Sequence, residues 1–155
     1  EHFDVLAATD FDLPFDSNWG VGMAILCFAA AQLRHREGAA ALYERMLPYA
    51  DMVITVGMPA EVIGPCHLPL AMTAATLGRW DEAERHAETA LAWLDDAGGR
   101  MWATQTRYRL ATVLHDRGRP GDAERAATLL AEARATSEEL GFPRLIERLD
   151  ELERA

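Results

Sequence analysis

Apolar side chains recur three or four residues apart through most of the chain, and this spacing is typical of amphipathic α-helices. A clear example is the run Ala87, Ala90, Leu91 and Leu94, which falls on one side of a helix. The pattern predicts helices over about 18–33, 37–47, 65–77, 81–97, 101–117 and 122–140, and a last one that starts at Pro143. The predicted fold class is therefore all-α.

A short polar turn is repeated between these helices. Leu77-Gly78-Arg79-Trp80-Asp81-Glu82-Ala83-Glu84-Arg85 returns 40 residues later as Arg117-Gly118-Arg119-Pro120-Gly121-Asp122-Ala123-Glu124-Arg125. A fainter copy, Leu33-Arg34-His35-Arg36-Glu37-Gly38-Ala39-Ala40, stands 44 residues before the first. A turn that returns at a nearly fixed interval indicates stacked helical hairpins.

Small residues lie on both sides of each turn, at the positions where the two helices of a hairpin cross closely. They are Ala71, Ala83, Ala90, Ala111, Ala123, Cys27 and Ala39. Small residues at these positions are typical of tetratricopeptide hairpins, although the 40-residue interval is nearer to that of HEAT repeats. We therefore predict a tetratricopeptide-like α-solenoid of three helical hairpins plus a C-terminal capping helix, with a HEAT-like stack as the alternative.

These elements predict one helical-repeat domain over 1–155, excised from a longer protein. Its predicted parts are an irregular lead-in with a frayed helix near Phe3 to Ala8 (1–16), hairpin 1 (17–50), an extended connector (51–64), hairpin 2 (65–99), hairpin 3 (100–141) and the capping helix (142–155). The connector contains the β-branched run Val53 to Val56, which is poor in helix propensity. Because no second strand-like run is present to pair with it, we predict a buried, extended segment and no sheet.

Residues 70–140, with the two strong turns, resemble the helical-repeat region of large actinobacterial signalling proteins. Asp16-Ser17-Asn18-Trp19 and Leu47-Pro48-Tyr49-Ala50 resemble the same family. Those proteins join an AAA-type or STAND-type ATPase to this region, often with a LuxR-type DNA-binding domain or an adenylate/guanylate cyclase domain. The resemblance implies a sensing or autoinhibitory scaffold in a signalling or transcriptional regulator. Ala87 departs from the tetratricopeptide pattern, which usually has a bulky aromatic residue there.

Charge and composition exclude several other classes. The net charge of −10 argues against direct nucleic-acid contact, because phosphate binding needs a basic surface. All 15 basic residues are arginine, so a phosphate-binding Gly-x-x-x-x-Gly-Lys loop is absent from the sequence. No apolar run reaches the length of about 20 residues that spans a bilayer. We expect a cytoplasmic protein with no membrane contact.

The first helix of each hairpin in such a stack lines a concave groove, which is the usual binding surface. Projecting these helices places eight residues in the groove: Phe28, Gln32, Met72, Thr76, Gln105, Tyr108, Thr112 and His115. The predicted function is a non-catalytic scaffold that binds a peptide, a partner domain such as its own ATPase domain, or a small effector. Self-association as a homodimer is the first alternative, and an enzyme is the second.

Residue types that carry chemistry are present but lack the required spacing. Cys27, Cys66 and His67 do not supply the paired, closely spaced ligands of a zinc site. The two cysteines are better explained as buried free thiols. Asp10, Asp12 and Asp16 resemble the start of a calcium loop, but the required glycine and the closing glutamate are missing. We therefore predict no catalytic residue, no metal and no cofactor.

Overall fold

The computed structural model describes residues 2–56 and 61–154. This part of the chain is mostly α-helical, which confirms the predicted all-α class. The elements in chain order are α1 (His2–Ala8), α2 (Trp19–Gln32), α3 (Arg36–Met46), a 3-10 turn (Leu47–Tyr49), β1 (Val53–Val56), β2 (Glu61–Pro65), α4 (His67–Leu77), α5 (Trp80–Asp96), α6 (Arg100–Arg117), α7 (Asp122–Leu140) and α8 (Pro143–Glu153). No helix in these ranges combines the length and the apolar character that crossing a bilayer requires.

The chain forms two compact units, Glu1–His86 and Ala87–Ala155, and the boundary falls within α5. In the first unit, α2, α3 and α4 pack against one another, and β1 lies beside α2. In the second unit, α6 packs against both α7 and α8. Each unit has its own buried side chains, such as Leu42 and Leu70 in the first and Leu110 and Leu114 in the second.

The prediction that 51–64 forms a connector without a sheet is wrong. β1 and β2 pair as an antiparallel two-stranded sheet, with Ile54 opposite Gly64 and a shift of register just after Ile54. The second strand escapes recognition because its sequence contains glycine and proline, which are depleted in strands. Pro65 is tolerated because both strands of a two-stranded sheet are edge strands, where a missing N–H costs little. Ile54 is buried but Val53 is exposed, so burial of the whole segment is not observed either.

The lead-in contains the predicted short helix, α1, and an aromatic contact holds it against α3. The Phe3 ring lies 5.3 Å from the Phe11 ring and 5.1 Å from the His35 ring, measured between centroids. Gly38, in the first turn of α3, leaves room for this contact, since a Cβ there would lie 2.7 Å from the Phe3 ring. The close approach of α1 to α3 therefore depends on a glycine at position 38.

The three copies of the repeated turn share one backbone feature. Arg34, Gly78 and Gly118 each adopt a left-handed conformation, with φ angles of 51°, 75° and 64°. Their spacings of 44 and 40 residues are the intervals found between the sequence copies. A left-handed residue after the last helical turn lets its N–H bond back to the helix, and glycine does this without steric cost. The faint copy is therefore equivalent to the strong copies in backbone conformation, although it carries arginine in place of glycine.

Most of the predicted small crossing positions are buried. Cys27, Ala39, Ala71, Ala83, Ala90 and Ala111 are each 4% exposed or less. Ala123 is exposed, so its assignment to a crossing position is wrong. Ala126, almost one turn further along α7, is buried instead. α7 begins four residues after Gly118, whereas α5 begins two residues after Gly78, so the same count from the turn reaches a different side of the helix.

We expect opposite effects from exchanging residue types at two equivalent turns. Gly78→Ala should lower the free energy of unfolding by about 1 kcal/mol, because a Cβ is unfavourable in the left-handed conformation. A Cβ at Gly78 meets no atom within 4 Å, so the cost is purely conformational. Arg34→Gly should instead raise it, by up to about 1 kcal/mol. Urea unfolding followed by circular dichroism measures both, and a destabilising Arg34→Gly would contradict the equivalence of the turns.

Candidate functional site

Four of the predicted groove residues follow one another along α6, on the side turned away from its buried residues. Gln105, Tyr108 and Thr112 are half-buried, and His115 is exposed. The buried residues of α6, which include Ala103, Thr106, Leu110, Ala111 and Leu114, point the other way at 100° per residue. We call Gln105, Tyr108, Thr112 and His115 the α6 row.

The other four predicted residues belong to the first unit. Phe28 and Gln32 lie on α2, and Met72 and Thr76 lie on α4. Phe28, Met72 and Thr76 are half-buried, whereas Gln32 is exposed. The Thr76 hydroxyl donates a hydrogen bond of 2.9 Å to the Met72 carbonyl oxygen, so this polar group is already satisfied within its own helix.

A cavity of about 420 Å³ lies between α6 and the start of α8. Two members of the α6 row, Gln105 and Tyr108, line it together with Met101 and Phe142. The volume falls within the range of small-molecule pockets, roughly 300–1,000 Å³. The remaining polar lining consists of Arg109, Arg144 and Arg148, none of which the sequence predicts. We call this space the α6–α8 cavity.

His115 lines a different cavity, of about 560 Å³, further along α6. Asp122, Ala126 and Arg134 also line that space. The Arg117 guanidinium, 2.7 Å from Asp122, holds the pKa of that carboxyl at about 2. The structure thus brings Gln105 and Tyr108 to one cavity and His115 to another, and the α6 row connects the two.

A polar cluster that the sequence did not predict lies inside the first unit. His67 Nδ1 and His86 Nδ1 are 2.8 Å apart. His86 Nε2 is 3.1 Å from the Tyr43 hydroxyl, which donates a hydrogen bond of 2.7 Å to Glu82. Because the hydroxyl hydrogen goes to Glu82, His86 Nε2–H donates to Tyr43 and His86 Nδ1 accepts from His67. The chain of hydrogen bonds therefore runs in one direction, from His67 to Glu82.

Burial favours the neutral forms of His67, His86 and Tyr43. Desolvation, together with the charges of His67 and Arg85, lowers the pKa of His86 to about 4, although Glu82 opposes the shift. Desolvation also lowers the pKa of His67, although Asp51, 3.9 Å from its Nε2, opposes the shift. Burial and the hydrogen bond to Glu82 raise the pKa of Tyr43 to about 12. A proton added to His86 would face the N–H of His67, so the cluster favours two neutral imidazoles.

The neighbouring thiol is held in its protonated form. Cys66 is buried beside the Met46 carbonyl oxygen, and desolvation raises its pKa to about 12. Cys27 is also a buried free thiol, and burial raises its pKa as well. Within 2–56 and 61–154, no group of three or more His, Cys, Asp or Glu side chains is arranged to hold a metal ion.

Comparisons with protein families, with curated proteins and with solved structures find no significant match to this chain. The geometry of the two cavities and of the histidine cluster is therefore the basis for a functional proposal.

The histidine cluster makes stability depend on pH. Between pH 6.5 and about 4 the unfolded chain binds a proton at His86 that the folded chain does not, so stability falls as the pH drops through this range. We expect a loss on the order of 1–3 kcal/mol in the free energy of unfolding. His86→Phe should flatten this dependence, as measured by urea unfolding at each pH. The exposed His115→Gln should keep the wild-type slope, and an unchanged slope in His86→Phe would contradict the assignment.

Proposed function

We propose that the chain is a non-catalytic interaction and sensing scaffold that binds a peptide, a partner domain or a small effector along the α6 row. The observation that carries the proposal is the accessible row itself, which leads from the α6–α8 cavity towards the cavity at His115. In stacked helical hairpins, the first helix of each pair provides the binding surface. α6 is the first helix of the pair that it forms with α7.

The left-handed turns support a tetratricopeptide-like α-solenoid of three hairpins with a capping helix. The turns at Arg34, Gly78 and Gly118 join α2 to α3, α4 to α5, and α6 to α7. α8 follows as the last helix and has an acidic outer side, with Glu147 and Glu151 exposed, as suits a terminal helix in water. A HEAT-like stack would contain the same turns. The turns therefore support the helical hairpins and their order, and they do not distinguish the two kinds of repeat.

The chemistry of the α6 row suits recognition. Tyr108 offers an aromatic face and a hydroxyl at a half-buried position, which is the combination enriched at binding hot spots. The Thr112 hydroxyl donates a hydrogen bond of 3.1 Å to the Tyr108 carbonyl oxygen, so a ligand need not accept a hydrogen bond from it. Gln105 supplies an amide with both donors and an acceptor.

The resemblance of the turns to the repeat region of actinobacterial regulators suggests the biological setting. We place the chain in a cytoplasmic signalling or transcriptional regulator, where an ATPase domain of the same protein is a natural partner. In such a setting the scaffold binds the effector or the partner, and other domains perform catalysis or DNA binding. The histidine cluster has no role in this proposal beyond holding α3, α4 and α5 together.

The double variant Tyr108→Ala/His115→Ala tests the proposal. A phage-displayed random peptide library is selected on the wild-type protein, and the enriched peptides are then measured by fluorescence polarisation. We expect the double variant to bind them at least about tenfold more weakly, because hot-spot aromatic residues typically contribute this much. The melting temperature should change little, since neither side chain is buried.

The matched control is Arg79→Ala/Asp116→Ala, which changes two exposed residues outside the row. The control should bind the selected peptides as the wild type does. If the library yields no enriched peptide, or if the control loses as much affinity as the row variant, the proposed binding surface is wrong. Collapse of the Tyr108→Ala/His115→Ala fold would show instead that these residues belong to the core.

Self-association is a second candidate function, favoured by one exposed apolar side chain on α2 and another directly after it. Ile25 and Leu33 are 60% and 61% exposed. Light scattering coupled to size-exclusion chromatography should then show a dimer whose fraction rises with concentration. Ile25→Asp should shift the protein to the monomer, because it puts a charge into the shared apolar contact. A wild-type protein that is monomeric at all concentrations would exclude this function.

A further inference from the structure

Three arginines converge on the α6–α8 cavity, and no acidic residue of the described part of the chain lines it. Arg109 comes from α6, and Arg144 and Arg148 come from α8. In a chain with 25 acidic residues and 15 arginines, a cavity with only positive charges departs from the overall balance. Such a concentration of one charge in a concave, partly apolar space attracts an anion.

Five other arginines of this unit show what these three lack. Arg107 bonds to Asp95 at 2.8 Å and to Glu132 at 2.9 Å. Each of the following also pairs with a carboxylate: Arg100 with Glu139, Arg117 with Asp122, Arg125 with Glu88, and Arg134 with Asp150. Within the described ranges, Arg109, Arg144 and Arg148 form no such pair. Their guanidinium groups thus remain available to an oxyanion.

Of the three arginines, Arg109 has the least favourable environment for an unpaired positive charge. It is half-buried, and its guanidinium carbon lies 5.5 Å from the centroid of the Tyr108 ring. Burial lowers the pKa of Arg109, and the nearby charge of Arg148 lowers it further. Arginine stays protonated nonetheless, so the repulsion between the two cations persists until an anion neutralises it. A bound oxyanion would relieve this repulsion.

Apart from Gln105, the rest of the lining is apolar or aromatic. Met101, Tyr108, Phe142 and Leu145 supply most of it. The start of α8 also borders the cavity, and the positive end of its helix dipole adds to the attraction for a negative charge. An occupant therefore needs two parts: an oxyanion for the guanidinium groups and an apolar or aromatic body for the remaining wall.

We propose that the α6–α8 cavity binds a small organic oxyanion, a carboxylate or a phosphate monoester carried on an aromatic or apolar body. Arg109 and Arg148 hold the oxyanion, since guanidinium groups match the planar geometry of carboxylates and phosphates. Tyr108 and Phe142 contact the body. The inference rests on the proposed function, because Gln105 and Tyr108 belong to the α6 row, and it gives the effector a chemical class.

Isothermal titration calorimetry with four probes tests the inference. The probes are 3-phenylpropionate, phenyl phosphate, the neutral amide 3-phenylpropanamide and inorganic phosphate. We expect the better of the two aromatic oxyanions to bind with a Kd of about 1 mM or tighter. The neutral amide and inorganic phosphate should each bind at least about tenfold more weakly, because each lacks one of the two required parts. The stronger of the two aromatic probes distinguishes a carboxylate site from a phosphate site.

Charge-removing variants locate the site. Arg109→Gln and Arg148→Gln should each weaken binding of the better aromatic oxyanion by about five- to tenfold. Arg154→Gln, at the residue that directly follows α8, is the matched control, since Arg154 donates to the Asp150 carbonyl oxygen and does not line the cavity. It should leave the Kd unchanged within about twofold. Because Arg148 is exposed, its variant remains informative even if Arg109→Gln unfolds the protein.

Several results would overturn the inference. One is that the neutral amide or inorganic phosphate binds as tightly as the better aromatic oxyanion. Another is that Arg154→Gln weakens binding as much as Arg148→Gln does. A third is that neither aromatic oxyanion shows saturable binding below about 10 mM. The variant His115→Ala distinguishes failure of the oxyanion site from failure of the scaffold proposal. It should retain oxyanion binding, because His115 lines the other cavity, while weakening the selected peptides.

Discussion

The packing of α6 against α7 determines which part of the second unit can meet a ligand. Ala103, Leu110, Ala111 and Leu114 turn inward, and small residues such as Ala111 let the two helices approach closely. Once this side is fixed, the helical repeat of 3.6 residues places Gln105 and Tyr108 away from α7. The surface chemistry of α6 is thus a consequence of its core packing, and the α6–α8 cavity forms where α8 leaves part of that surface uncovered.

Much of the fold follows from local rules that a sequence displays. Helices are recognised by the spacing of apolar residues, and their ends by glycine and proline. The left-handed conformation of Arg34 shows that the faint third turn shares the backbone of the other two, even though its residue type conceals this. Ala123 shows the limit of the approach, because α7 begins two residues later after its turn than α5 does, and the similarity of the two turns conceals this shift.

The parts that escaped prediction arise from contacts between residues far apart in the chain. The β-hairpin depends on backbone pairing between β1 and β2. The residue types of β2, which include Gly64 and Pro65, do not indicate a strand. Tyr43 and His86 are 43 residues apart and belong to different helices, so no periodic pattern relates them. The arginines of α6 and α8 likewise look like ordinary solvated charges until folding brings them to one cavity without carboxylates.

The two buried thiols give the first unit an internal reporter of its own motion. Cys27 and Cys66 are closed off from solvent, and burial disfavours the thiolate that an alkylating reagent attacks. Their labelling therefore requires a transient opening of the surrounding helices, and its rate gives the free energy of that opening. Since these are the only two cysteines in the sequence, alkylation followed by mass spectrometry reads local opening of the first unit without any engineered probe.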